Sequence, residues 1–345
     1  MLFLNAYRIL RDNQCGLGKV LAERARLMGR YILKRLIWMI PVVLGVTILV
    51  FSIMYLIPGD PAKMMLSPEA TPEEVEAKRE ELGLNDPYLL RLGKFLGGII
   101  FRFDFGESWV YNQPVTKELV SRFPRTLTIA AICIGLQIVI GIPLGIVAAV
   151  NQNGLGDRIS MFIALFGISL PNFWITLMLV LFFSVRLGWL PPFGIGGLEY
   201  YILPCIANAF PGIATQARQT RSSMLEVIRS DYITTARAKG MSETQILLKH
   251  ALPNALLPVI TIIGNGMGML LAGTVVIESI FSIPGIGMYL VGGINSRDYN
   301  IVQSSVIFLA LAFTFIMLLV DLAYAFIDPR IKAQFARKHK RSQHA

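Results

Sequence analysis

Five stretches of this chain run for about the thickness of a bilayer without a charged residue: Ile37 to Ile57, Thr126 to Val150, Ile159 to Val185, Ala255 to Ile277 and Ile301 to Val320. A hydrocarbon core about 30 Å thick is crossed by about 20 apolar residues of helix. In lipid a single segment can pair its own backbone groups only as a helix, so the runs predict an all-α polytopic membrane protein. Composition agrees: of 345 residues, 54% are hydrophobic and 16% charged, against about 45–50% and about 25% in a soluble domain. The net charge of +10 does not mark a soluble nucleic-acid binder, because the excess sits at the chain ends and beside apolar runs. Membrane lipid or a cytoplasmic partner accounts for it, and no nucleic-acid partner is expected. Cys15, Cys133 and Cys205 are odd in number and far apart, which fits buried, inert thiols rather than a disulfide framework or a metal site.

A sixth run, Ile202 to Ala217, is shorter, holds Pro204 and Pro211, and meets Arg218 and Arg221. Loop charge decides whether it spans, because short Lys/Arg-rich loops stay in the cytoplasm. The segment before the first run carries eight bases against two acids, and the 218–254 segment and the tail after residue 328 are also basic. Six transmembrane helices put all three inside, with both termini cytoplasmic; five would put two of them outside. The expected organisation is a basic extension over 1–29, a first transmembrane helix over 30–57, an extracytoplasmic insert over 58–125, a permease core over 126–327 and a basic tail over 328–345. The extension reads as a basic amphipathic helix, with Leu10, Leu17 and Leu21 near helical spacing, or as the product of a misplaced start codon. The first run is too long for a signal-peptide core and lacks a small-x-small cleavage pattern. The insert interleaves eleven acids with nine bases. Thr71-Pro72-Glu73-Glu74 within it has capping-box spacing and predicts a helix to about Leu82, stopped at Gly83.

Nothing in the chain predicts catalysis. The nearest approach to a phosphate-cradling loop, Gly16-Leu17-Gly18-Lys19, has Asn13 where its first glycine belongs and Val20 where a Mg²⁺-binding hydroxyl belongs. His250, His339 and His344 form no pattern with carboxylates, so no metal and no catalytic residue is expected. The long runs hold no interior charge of the kind that marks an ion-coupled carrier. Glu278 and Asp321 lie at run ends and read as interfacial or helix-end charges. Among the polar residues inside the runs, Gln137, Asn172 and Asn265 are candidates for lining a translocation path, against the plainer reading of hydrogen bonds between helices. Gly141/Gly145 and Gly264/Gly268 have the spacing that lets helices approach closely, and Pro143, Pro171 and Pro258 are expected kinks.

The segment 230–253 stands apart. Ser230 or Asp231 can cap a short helix through Ala238 and Lys239, Gly240 suits a left-handed turn, and Ser242-Glu243-Thr244-Gln245 starts a second helix that meets Pro253. Two capped helices hinged at a glycine make a candidate docking surface in the longest cytoplasmic connection.

Thr234-Thr235-Ala236-Arg237-Ala238-Lys239-Gly240, followed by Leu252-Pro253, resembles the coupling motif of bacterial ABC-importer permeases: Glu-Ala-Ala, three residues, Gly, nine residues, Ile-x-Leu-Pro. Ala236, Gly240, Leu252 and Pro253 match at the required spacing, whereas Thr234, Thr235 and His250 depart from it. Ala-Arg-Ala-Lys-Gly is the form of the dipeptide/oligopeptide/nickel branch, and resemblance to its B-type inner permeases extends from about Arg30 to Ile331. It takes in Pro58-Gly59-Asp60-Pro61, Leu82-Gly83-Leu84, Phe105-Gly106-Glu107-Ser108, Asp231-Tyr232, Glu278-Ser279-Ile280-Phe281, Pro284-Gly285-Ile286-Gly287, Arg297-Asp298-Tyr299 and Asp328-Pro329-Arg330. The resemblance implies a type I ABC importer permease fold in a bacterial inner membrane. It implies a second related permease, two ABC ATPase subunits and an extracytoplasmic substrate-binding protein as partners, with ATP and Mg bound by the ATPases and no cofactor bound by this chain. It casts Asp231, Ala236, Arg237, Ala238, Lys239, Gly240, Leu252 and Pro253 as the ATPase-coupling element, with Ala236 a small contact and Arg237 or Lys239 pairing with partner acids. Short peptides are the expected substrate, with nickel or glutathione as alternatives from the same family. The competing classes are an autonomous channel or secondary carrier, which would transport without ATP, and a membrane-anchored scaffold, which would work without ATPases.

Overall fold

The computed structural model describes residues 29, 32–67 and 69–327. The tail, Cys15 and all but the last residue of the basic extension lie outside the described residues. Two compact units divide the chain, Val46–Phe313 in one and Met1–Gly45 with Thr314–Ala345 in the other. In the second unit the described residues are 29, 32–45 and 314–327, all helical. No strand occurs among the described residues; Glu107 and Pro114 make an isolated bridge.

Helix α1 (Ile32–Leu56) holds the first apolar run. The insert then folds into α2 (Pro61–Met65), α3 (Pro72–Glu81) and α4 (Tyr88–Arg102). The capping box at Thr71 is present in both halves: Glu74 N–H donates to Thr71 Oγ1 at 3.3 Å, and Thr71 N–H donates to the Glu74 carboxylate at 2.8 Å. Asp60 caps α2 and accepts two bonds from Arg79, which ties α3 to the end of the first run.

Helix α5 (Val115–Val150) is longer than its apolar run, so the insert boundary expected at residue 125 falls inside a helix that begins ten residues earlier. It passes Pro124 without breaking but widens to a π turn over Gln137–Gly141, just before Pro143. A proline ring clashes with the carbonyl four residues back, and a wider turn moves that carbonyl away. The same device recurs over Ile246–Ala251, before Pro253. The run Ile159 to Val185 is not one straight span: α6 (Leu155–Ser169) and α7 (Asn172–Arg186) meet at 104°. The break is at Leu170-Pro171, where both residues are extended and the proline has no N–H to continue the ladder.

The sixth run lies in α8 (Glu199–Ile228), an unbroken helix of 30 residues with thirteen of them buried. Its C-terminal half carries Arg218, Arg221 and Glu226 and its N-terminal half Pro204, Asn208 and Pro211, and it is not among the four helices, or five with the bent pair, that are long and apolar enough to cross a membrane. Helices α5, α6 and α7 all pack on it. At Gly145 a methyl group would fall 2.5 Å from both the Ala217 carbonyl and Thr220, and at Gly141 2.8 Å from Gln216. The glycine pair is thus a helix-packing surface, as its spacing predicts.

Beyond α8 come α9 (Asp231–Ala238), a turn Glu243–Gln245 leading through the π segment into α10 (Leu252–Ile280), then α11 (Ile286–Asn295) and α12 (Tyr299–Ile327). Glu278, read from sequence as an interfacial or helix-end charge, lies in the last turn of α10 and is fully buried. Its carboxylate accepts from Thr126 Oγ1 on α5 at 2.7 Å and from Met288 N–H in the first turn of α11 at 3.1 Å, while Thr126 accepts from Ile286 N–H at 3.0 Å. A buried acid at a helix N-terminus answers unpaired backbone donors and the positive end of the helix dipole. The Pro284-Gly285-Ile286-Gly287 motif is the cradle for this carboxylate, since a methyl group at Gly285 would overlap it. Gly285→Ala is therefore expected to destabilise the assembled protein by about 2 kcal/mol, the worth of a charge-assisted bond. Gly292→Ala, in the same helix with open space around it, serves as the neutral control. Thermal unfolding of the purified complexes decides, and equal midpoints for the two variants would contradict the role given to Glu278.

Candidate functional site

The segment between α8 and α10 is built on a small core of its own. Met224 of α8, Ala149 at the end of α5, Ile233 and Ala236 of α9, and Ile246, Ala251 and Ala255 form one buried cluster. Burial of Ile233 and Ala236 at helical spacing turns one face of α9 inward and leaves Asp231, Tyr232, Thr235, Ala238 and Lys239 exposed. Ser230 occupies the N-cap position, but its hydroxyl donates back to Val227 O at 2.6 Å instead of capping α9. Gly240 reverses the chain with φ +75° and nothing within 4 Å of where a Cβ would stand. Its N–H donates to Arg237 O, and Met241 N–H to Ala236 O, which closes the end of α9. Ser242 then caps the following turn by accepting from Gln245 N–H at 3.4 Å.

Across the hinge, Arg237 makes a forked bond to Glu243, Nε to Oε1 at 2.6 Å and Nη2 to Oε2 at 3.2 Å. This bond raises the Arg237 pKa above its ordinary value. Two expectations change. Ala236 is 8% exposed and seats α9 on the chain's own core, so it is no surface contact. Arg237 already has its acid within the chain, which leaves Lys239 as the outward base. Leu252 and Pro253 sit directly after the π segment, where Leu252 N–H reaches back five residues to Leu247 O.

The three path candidates part company. Gln137 is buried at the π turn of α5 and presses on Gly212 of α8, where a methyl group would overlap its amide. Asn172, first residue of α7 after the break, donates to Asn208 Oδ1 on α8 at 3.3 Å. Asn265 lies exposed on α10 and joins neither. Asn208, Gly212, Gln216 and Thr220 follow one another at four-residue spacing down α8, so Gln137 and Asn172 address a single polar stripe. Asn208 Nδ2, Gln216 Nε2 and Thr220 Oγ1 on that stripe are buried without a hydrogen-bond partner.

Sequence reading misses the clamps that hold this end together. Asp157 is 4% exposed and takes both Arg221 bonds, at 2.5 and 2.7 Å, together with Asn153 N–H at 2.9 Å. Opposite charges near two run ends were visible, but nothing in the sequence paired them. Likewise Asp298 caps α12, accepting Ile301 N–H, and also holds Ser108 Oγ at 2.6 Å and Val110 N–H at 3.0 Å. Asn300 donates to the carbonyls of Phe105 and Glu107. Two motifs nearly 200 residues apart are thus one joint.

Comparison with known proteins places this geometry. Residues 141–333 match the model of the binding-protein-dependent transport system inner membrane component, and residues 28–130 match that of the N-terminal part of such a membrane component. The dipeptide transport system permease protein DppB of Alkalihalophilus pseudofirmus is 42% identical over 333 residues, covering 88% of this chain and 100% of the relative. The glutathione transport system permease protein GsiC of Escherichia coli K12 is 41% identical over 305 residues, covering 88% of this chain and 99% of the relative. Among solved structures, an inward-facing conformation of the MetNI methionine ABC transporter superposes with a TM-score of 0.52 at 20% identity, covering 61% of this chain and 97% of that one. At that identity the likeness is one of fold.

The contact of Gln137 with Gly212 yields a direct test. Gly212→Ala should force the Gln137 amide out of its place, whereas Gly135→Ala, two residues before Gln137 on α5 and in open space, should not. We expect the Gly212 variant to lose several-fold in transport rate with insertion unchanged, measured as uptake by reconstituted complexes. Transport equal to the Gly135 control would mean that the two helices have slack here.

Proposed function

The chain belongs to the binding-protein-dependent transport system inner membrane component family, and we propose that it is the permease subunit of an ATP-driven importer of short peptides, forming half of the translocation path. It is a multi-pass inner-membrane protein of a family of permease subunits. Both chain ends face the cytoplasm in this reading. ATP and Mg belong to two partner ATPases, a second related permease completes the path, and an extracytoplasmic protein delivers substrate. The curated relatives supply the substrate class: one is named for dipeptides and the other for glutathione, itself a short peptide.

The observation that carries the reading is the hinge at Gly240. Helix α9 is held by an inward face of Ile233 and Ala236, braced by Arg237 on Glu243, and offers Tyr232, Thr235 and Lys239 along its outer face. A surface loop with no partner has no use for a helix seated, braced and closed at its C-terminal end in this way. Such a lever passes movement of a docked ATPase into α8 and α10, which carry the polar stripe and Asn265. Gln137 and Asn172 meet that stripe and are assigned to the path; Asp231, Ala238 and Lys239 are assigned to the ATPase side. A self-sufficient carrier would transport in vesicles without ATP or partners.

Gly240→Val separates these readings. A side chain at positive φ costs on the order of 1 kcal/mol, and a β-branched one more. With open space around Gly240, that strain acts on the backbone alone and tilts α9 against its partner. We expect an assembled complex that has lost substrate-stimulated ATP hydrolysis, read in reconstituted complexes. Full stimulation and uptake with Val at 240 would reduce the segment to an ordinary loop. Substrate class is settled separately by titrating the delivering protein: tight binding of a nickel chelate and none of peptides would overturn the choice of peptides.

A further inference from the structure

A cleft of about 920 Å³ lies among the end of α1, helices α3 and α4, the 106–109 segment and the first turn of α12. Volumes of this order suit small organic ligands. Three cations line it, and two are neutralised within the chain: Arg79 by Asp60 at 2.7 Å and Lys94 by Asp86 at 2.6 Å. Arg91 is different. Its guanidinium stands 5.7 Å over the Tyr55 ring and has no ion pair among the described residues. It is nevertheless half-buried, and loss of solvent pulls its pKa down. A guanidinium offers five donors in a fork that fits a carboxylate, and over an aromatic face it remains free to use them. Glu80 and Glu107 line the same cleft, also without an ion pair among the described residues. A simple anion bound at Arg91 would be repelled by both acids. A zwitterion answers both signs, and Trp109 and Tyr55 provide apolar walls for what lies between its charged ends.

We propose that Arg91 anchors the free α-carboxylate of a short peptide in this outer cleft, with Glu107 facing the peptide's ammonium end. The inference rests on the peptide-importer reading above and adds to it a specificity site on the permease itself. An acidic side chain of the delivering protein presents the same carboxylate chemistry, and the experiment must distinguish the two sources.

The test uses the complete reconstituted complex with its delivering protein, and one peptide made with a free C-terminus and with a C-terminal amide. The preference of the delivering protein between the two forms is measured alone by titration and is common to all variants. Arg91→Gln should lower uptake of the free acid about tenfold at limiting concentration, as expected for loss of a charge-assisted bond. Uptake of the amide should barely change, and Arg91→Lys should recover part of the preference. An equal fall for both peptides would assign the carboxylate to the delivering protein and overturn the proposal, as would no fall for either. Should Arg91→Gln fail to assemble, Glu107→Gln tests the other pole: it should lower uptake of the free-amine peptide relative to its N-acetylated form, and an unchanged ratio overturns the proposal. If wild-type complexes import neither peptide, the peptide reading itself fails and takes this site with it; import with an Arg91-independent ratio sinks the site alone.

Discussion

The close approach of α5 to α8 is the contact on which the rest of the molecule depends. Without side chains at Gly141 and Gly145, the two backbones lie near enough for Ala217, Gln216 and Thr220 to touch the helix opposite. In a bilayer, apolar side chains gain nothing by leaving lipid for one another, so helices are held by backbone proximity, dispersion and a few polar bonds. The glycine pair supplies the first of these. It also sets the depth at which Gln137 meets Gly212, and it brings Ala149 onto Met224, where the small core beneath α9 begins.

Polar groups complete the work at the two ends. On one side Asp157 binds Arg221 and Asn153, closing the α5–α6 turn onto α8. On the other, Glu278 and Asp298 each hold a helix N-terminus and a distant segment at once. A buried carboxylate is costly unless its lone pairs are answered. These are answered by hydroxyls, backbone donors or an arginine, so each acid ties together segments that apolar packing in lipid would leave free to slide. The stripe on α8 is the opposite case. Asn208, Gln216 and Thr220 keep unpartnered atoms, so the stripe contributes no such tie. Its lower end leads directly into the hinge at Gly240, so the parts proposed to move and the part proposed to be pushed are continuous in the chain.

That the apolar runs form helices was legible in the sequence because lipid leaves a backbone no other choice; the Thr71 capping box and the turn at Gly240 were legible because each depends on residues within a few positions of one another. The resemblance motifs were legible as strings, without their purpose. Tertiary structure alone showed that Phe105-Gly106-Glu107-Ser108 exists to meet Asp298 and Asn300, and that Gly285 makes room for Glu278. It turned Ala236 inward, gave Arg237 an acid in its own chain, and set at 104° the bend that Pro171 leads one to expect. Periodicity and hydropathy report how a residue relates to its solvent and its near neighbours along the chain. Which buried polar group meets which, across 150 residues or more, is decided only when the helices have packed.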